Sequence, residues 1–311
     1  MIPPGRLIDI GGRRLHLLAA GEGAPTVVLE SGGGGGSSVQ DWPVLRRVAR
    51  FARCLAYDRA GLGWSDPAPG PRTFEAMAQD LDELLAAAGE RPPFVLVGGS
   101  FGGLVVRAYA RRFPEPVAGL VLVDAAEEAK YFATMAAMRP RHEAELREAA
   151  ARAARGELAA EAEPAIRAGG FDAATRAAML CVLNRPEHFE ASLAELSAID
   201  AVPSERRGAG GFGTLGERPL IVLSHGAPYA GEMAAWEDGW AEAQARLAAL
   251  SSASAHLVAR ANGHSIALEN PGLVAAAIEA VVRAVRGEAL DVSGAAAKAR
   301  GGRGRSGGSP G

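Results

Sequence analysis

"FVLVGGSFGGLVVRAYARRF", residues 94–113, sets Ser100 between two glycine pairs, after a continuous apolar run and before an amphipathic one. A parallel strand buried on both faces reads as such a run, and Phe101 to about Arg112 repeats apolar residues at helical spacing. So tight a passage from strand to helix needs positive-φ or strained backbone, and flanking glycines let strand and helix approach closely. The geometry pushes the serine hydroxyl into the open. Gly98-Gly99-Ser100-Phe101-Gly102 fits G-x-S-x-G, the elbow that presents a nucleophilic serine above a sheet edge at a helix N-terminus. In a chain with 40 glycines the pentapeptide alone is weak, and the strand before it and helix after it give it weight.

Short apolar runs alternate with helical patterns on either side, the signature of strands joined by crossover helices in a mostly parallel sheet. "RRLHLLAAG", "TVVLES", "RCLAYD", "VAGLVLVDA", "RPLIVLSHG" and "AHLVARANGHS" read as further strands. "DWPVLRRVARFA", "TFEAMAQDLDELLAAAG", "MAAWEDGWAEAQARLAAL" and "PGLVAAAIEAVVRAV" read as helices, the second capped by Thr73 and ended by Gly89. Between about 127 and 217 the alternation gives way to an Ala-, Glu- and Arg-rich stretch with helical periodicity. The organisation expected is therefore a core of 1–126 and 217–287 with a helical insertion at 127–216. The Gly-, Ser- and Arg-rich residues 288–311 are expected to stay disordered, lacking apolar surface to bury.

A chain of 311 residues, 48% apolar, can bury one large core. Its formal charge of -3 provides no basic field for nucleic acid or an anionic membrane, which leaves a small-molecule partner as the expectation. Cys54 and Cys181 have no metal-ligand spacing and are expected to be buried small hydrophobes. No signal-peptide pattern opens the chain, and no stretch nears the roughly 20 uninterrupted apolar residues of a membrane span, which points to a cytoplasmic protein. Arginine is favoured over lysine, with only Lys130 and Lys298, as in a GC-rich bacterial genome.

A serine hydroxyl needs a base, and histidine titrates near neutrality. Of six histidines, His264 follows the last strand in a glycine-containing loop from which a side chain can reach back over the sheet edge. The base needs an acid to hold its tautomer, in the chain order serine, acid, histidine. That acid ordinarily follows the penultimate strand, but "LIVLSHGAPYAGEM" offers no carboxylate before Glu232. Asp124, one strand earlier, keeps the order, with Glu232 and Asp238 in reserve. For the oxyanion, the Phe101 N–H and an N–H of the loop "ESGGGGGSS", best Gly33, are candidate donors. That loop lacks the Lys-Ser/Thr ending of a phosphate-binding P-loop.

"LESGGGGGSSVQDW", "AYDRAGLGWSD", "VLVGGSFGG", "GLVLVDA" and "NGHSIALENP" occur in the order found in the α/β-hydrolase fold superfamily, which the chain resembles over about 7–126 and 217–286. The resemblance implies an α/β fold with an eight-stranded, mostly parallel sheet, helices on both faces, a helical lid between the sixth and seventh strands, and no cofactor or metal. Gly99 and Ser31 stand where many relatives carry His. A serine at the elbow points away from the branches whose nucleophile is Asp. The activity expected is hydrolysis of a carboxylic ester or related acyl compound through an acyl-enzyme, with Ser100, His264 and Asp124 as the triad. Tyr131, Phe132, Met135 and Met138 of the insertion are candidate pocket residues. The same scaffold also serves peptide-end and C–C bond hydrolases and non-catalytic ligand-binding proteins.

Overall fold

The computed structural model describes residues 3–169, 171–229 and 231–301, with the side chains of 231–233 outside it. Eight strands form one sheet: β1 (Arg6–Asp9), β2 (Arg14–Ala20), β3 (Thr26–Glu30), β4 (Cys54–Tyr57), β5 (Phe94–Gly99), β6 (Val117–Val123), β7 (Leu220–His225) and β8 (Ser254–Ala259). Their spatial order is β1-β2-β4-β3-β5-β6-β7-β8. The pairs β1/β2 and β2/β4 are antiparallel and every other pair is parallel. β1 has no counterpart among the apolar runs of the sequence, because it is a four-residue edge strand exposed at both ends.

Strand side chains alternate between two apolar layers, as the two-residue period of a strand requires. Leu96, Leu120, Leu122 and Val222 pack into one face, and Val95, Val97, Val121 and Ile221 into the other. The first face is covered by α2 (Phe74–Ala87) and α3 (Gly102–Arg112), and the second includes α1 (Trp42–Val48). Thr73 caps α2 by accepting from the Ala76 N–H.

The helical insertion lies between β6 and β7 as α4 (Glu128–Ala154), α5 (Glu157–Ala168), α6 (Ala173–Leu183), α7 (Pro186–Glu195) and α8 (Ser197–Ala201). After β7 come α9 (Trp240–Ala248), the short α10 (Ile266–Glu269), α11 (Pro271–Val285) and α12 (Ser293–Arg300). Helix α9 begins later than the sequence pattern implies, because 231–236 form a 3-10 turn. The tail departs further from expectation. Instead of being disordered from 288, it carries α12, whose Ala295 and Ala299 are buried in the second apolar layer. Residues 302–311 of that expected tail lie outside the described residues. Cys54 is buried as expected, whereas Cys181 is only partly so. No described helix is long and apolar enough to cross a membrane.

Candidate active site

Strand β5 reaches α3 through a single backbone reversal at Ser100, whose φ is 48°. The approach of strand and helix tolerates no side chain at Gly98: a Cβ there would fall 2.7 Å from both Gly103 Cα and the Gly102 carbonyl oxygen. Asp124 directly follows β6, and its φ is 46°. The two turns are tied together, since Ser100 N–H donates to the Val123 carbonyl and Ala126 N–H donates to that of Ser100.

Asp124 is fully buried, and each of its carboxylate oxygens accepts two hydrogen bonds. Its Oδ1 accepts from the His225 backbone N–H at 3.0 Å and the Trp240 indole at 2.9 Å. Its Oδ2 accepts from two imidazoles, His264 Nδ1 at 2.6 Å and His225 Nδ1 at 2.7 Å. Burial alone would raise the carboxyl's pKa, but the hydrogen bonds from His225 and His264 outweigh it and hold the group down to about 2. Asp124 is therefore a carboxylate at neutral pH. The ligating atoms of Asp124, His225 and His264 lie within 4.8 Å of one another, close enough for a metal ion, but both Nδ1 atoms are engaged as donors to the carboxylate.

Of the residues singled out from the sequence, the fold brings Asp124 against His264 and sets Ser100 and His264 on the walls of the same two cavities. No hydrogen bond joins Ser100 to His264 among the described residues; the His264 ring is held by its Nδ1 bond to Asp124 and by ring contacts with Tyr229 and Trp240. Gly33 packs on Phe101, where a Cβ on the glycine would lie 3.1 Å from Phe101 Cβ. Neither the Gly33 nor the Phe101 N–H has an acceptor among the described residues. Asp238 is exposed and bonds neither histidine; the Glu232 side chain lies outside the described residues.

One cavity, about 290 Å³, runs beneath the insertion between Tyr131, Met135, Met138, Trp236 and Trp240. Phe132, expected among its walls, instead turns into the core at 6% exposure, edge-on to Tyr131. The other cavity, about 230 Å³, is walled by Gly32–Gly36, Gln40, Asp41 and Leu268.

The glycine loop after β3 is held by residues far away in sequence. Arg59 donates to the carbonyls of Ser31 at 2.7 Å and Gly32 at 3.0 Å, and to Glu30 at 2.6 Å. It also forms a bidentate pair with Glu195 at the end of α7, at 2.6 and 2.8 Å. Burial disfavours a charge on Arg59, but Glu195 and Glu30 overcome that and push its pKa well up. From the same helix, His188 accepts the Gly63 N–H at Nδ1 (3.0 Å) and donates from Nε2 to the Gly35 carbonyl (2.9 Å). Burial lowers its pKa, which suits the neutral tautomer those bonds demand.

Sequence reasoning passed over His225, Glu237, Arg59, His188 and Glu195. His225 carried one signal: it occupies the end of the penultimate strand, where the acid was sought. The pairs made by α7 carried none, being separated by 125 to 153 residues.

The family model of the alpha/beta hydrolase fold matches residues 25–163. Among curated proteins, the chain is 39% identical over 134 residues to the probable transporter efuK of Hormonema carpetanum, which covers 40% of this chain and 19% of that protein. It is 34% identical over 123 residues to a 2-hydroxy-6-oxo-2,4-heptadienoate hydrolase of Pseudomonas putida, which covers 39% of this chain and 44% of that protein. The matches thus span less than half the length of these curated relatives. The solved structure of a thermophilic esterase from Thermogutta terrifontis is similar with a TM-score of 0.64 at 23% identity, over 91% of this chain and 99% of that one. That likeness is one of fold.

Proposed function

We propose that this chain, whose residues 25–163 match the alpha/beta hydrolase fold model, is a serine hydrolase acting on carboxylic esters or related acyl compounds. The observation that carries this reading is the placement of a left-handed Ser100 and an Asp124-held His264 on the walls of the same cavities. In the reaction, Ser100 Oγ attacks the carbonyl carbon and its proton passes to His264 Nε2. The resulting oxyanion accepts from the Phe101 and Gly33 N–H groups, which have no other acceptor among the described residues. The carbon–oxygen bond to the alcohol then breaks, and His264 protonates the departing oxygen. Water, deprotonated by the same imidazole, releases the acid from Ser100. Asp124 keeps Nδ1 protonated, so that Nε2 is the free base.

The helices of 127–216 act in this reading as a cap, with Tyr131, Met135 and Met138 shaping an apolar pocket for a small-molecule substrate. The kinship with a heptadienoate hydrolase supports a second reading, cleavage of a C–C bond in a diketone by the same residues. The test is intact-mass analysis after a fluorophosphonate probe, on the parent and on Ser100→Ala, followed by an ester and diketone panel. One adduct, lost in the variant, is expected. A folded parent that takes up no probe and turns over no substrate sinks both readings in favour of a ligand-binding protein.

A further inference from the structure

The reaction proposed above leaves unused a histidine in contact with its acid. His225 closes β7 with a side chain only 3% exposed, stacked on Trp240 and edge-on to Tyr229. Both of its ring nitrogens face carboxylates: Nδ1 lies 2.7 Å from Asp124 Oδ2, and Nε2 lies 3.1 Å from Glu237 Oε2. A neutral imidazole has one N–H and one lone pair, so it would aim a lone pair at one of the two carboxylates. Only the doubly protonated ring satisfies both.

The surroundings agree. Asp124 faces the ring from the end of β6, Glu237 from ahead of α9, and His264 from across the shared Oδ2. Its partner on β8 is the uncharged Ala259. The Tyr229 hydroxyl stays neutral, since burial first, then Asp124 and Glu237, push its ionisation up. Burial works against a charged His225, but the hydrogen bonds and charges of Asp124 and Glu237 prevail and raise its pKa.

We propose that His225 is a positioning residue: a standing imidazolium between Asp124 and Glu237 that fixes the acid for His264 and extends turnover to lower pH. This rests on the serine-hydrolase reading. A cation already bonded to Oδ2 leaves Asp124 less negative charge to offer a second one. Protonating the catalytic imidazole then costs more, and activity persists as the medium acidifies.

Histidine 15N resonances of the folded full-length chain at neutral pH test the charge state, with His225 assigned by its loss in His225→Gln. Two protonated ring nitrogens are expected; one bare nitrogen overturns the proposal. The effect is tested by kcat/KM against pH on a p-nitrophenyl ester for the parent, His225→Gln and Glu237→Gln. The acid limb is expected to move up by about 0.5 to 1 pH unit in both variants, so that the loss concentrates at low pH. A plateau lowered evenly, with the limb unmoved, would show a merely structural role and overturn the proposal. If His225→Gln does not fold, Glu237→Gln supplies the profile and, because it weakens the cation, identifies the His225 resonances by their shift. Failure of the underlying reading is visible separately, as undiminished turnover by Ser100→Ala.

Discussion

Ser100 and Asp124 directly follow the neighbouring parallel strands β5 and β6, and among the described residues they are the two non-glycine positions with left-handed backbone, φ 48° and 46°. Such a conformation costs on the order of 1 kcal/mol or more at each residue. It is tolerated because the two turns brace each other through the Val123 and Ser100 carbonyls. What the strain achieves is to lift a hydroxyl and a carboxylate off the same edge of the sheet.

Asp124→Asn is expected to lower kcat by about 10³-fold or more. One amide oxygen cannot accept from four donors, and the amide nitrogen would meet another N–H. Asp238→Asn, on an exposed side chain, is expected to stay within about twofold of the parent. Steady-state rates on one ester compare the two, and parity for the Asp124 variant would remove it as the acid.

The depressed Asp124 carboxyl also makes a stability prediction. Its pKa falls from an ordinary 3.8 to about 2 on folding, so the unfolded chain takes up the proton first as pH drops. The resulting stabilisation, about 2 kcal/mol, is complete above about pH 5 and disappears between about pH 4 and pH 2. Urea unfolding across that window should show a flatter pH dependence in Asp124→Asn than in the parent. Identical slopes would contradict the assignment.

Breaking the pair between α7 and the core should be costly. Glu195→Ala leaves Arg59 with half its carboxylate partners at 2% exposure, and a loss of about 3 kcal/mol is expected. Chemical denaturation measures it, with Glu195→Gln expected to recover part of the loss by still accepting from Arg59. A change below about 1 kcal/mol would mean that Glu30 and the loop carbonyls suffice.

Gly98→Ala should damage the elbow. The new methyl would lie 2.7 Å from backbone atoms of Gly102 and Gly103, which cannot yield without tilting α3. A loss of about 1 to 3 kcal/mol in urea unfolding is expected, and parental stability would show that strand and helix separate more freely than their contacts imply.

How much of this could be read from residues alone follows from the range of each interaction. Buried parallel strands announce themselves as Val/Leu runs, and the turn around Ser100 is a local pattern, so the sheet and the strand-to-helix passage at Ser100 were legible. β1 was not, because "RLID" at a sheet edge buries too little to stand out. Helix α12 was hidden by glycines and arginines, although only Ala295 and Ala299 need to pack. Asp124 could be placed by chain order. His225 and Glu237 could not, since their part depends on β6 and β7 lying side by side and on a turn that brings Glu237 back beneath Tyr229.

The grip of α7 on the glycine loop bears on how such a protein can be altered. Through Glu195 on Arg59 and His188 on Gly35 and Gly63, the insertion supplies internal scaffolding to the core rather than a detachable cover. It is therefore not an exchangeable cassette. A graft of another helical segment between β6 and β7, intended to change specificity, would have to bring its own carboxylate for Arg59 and its own bridge between Gly63 and Gly35. Without them, the graft would remodel the pocket and loosen the glycine loop that follows β3.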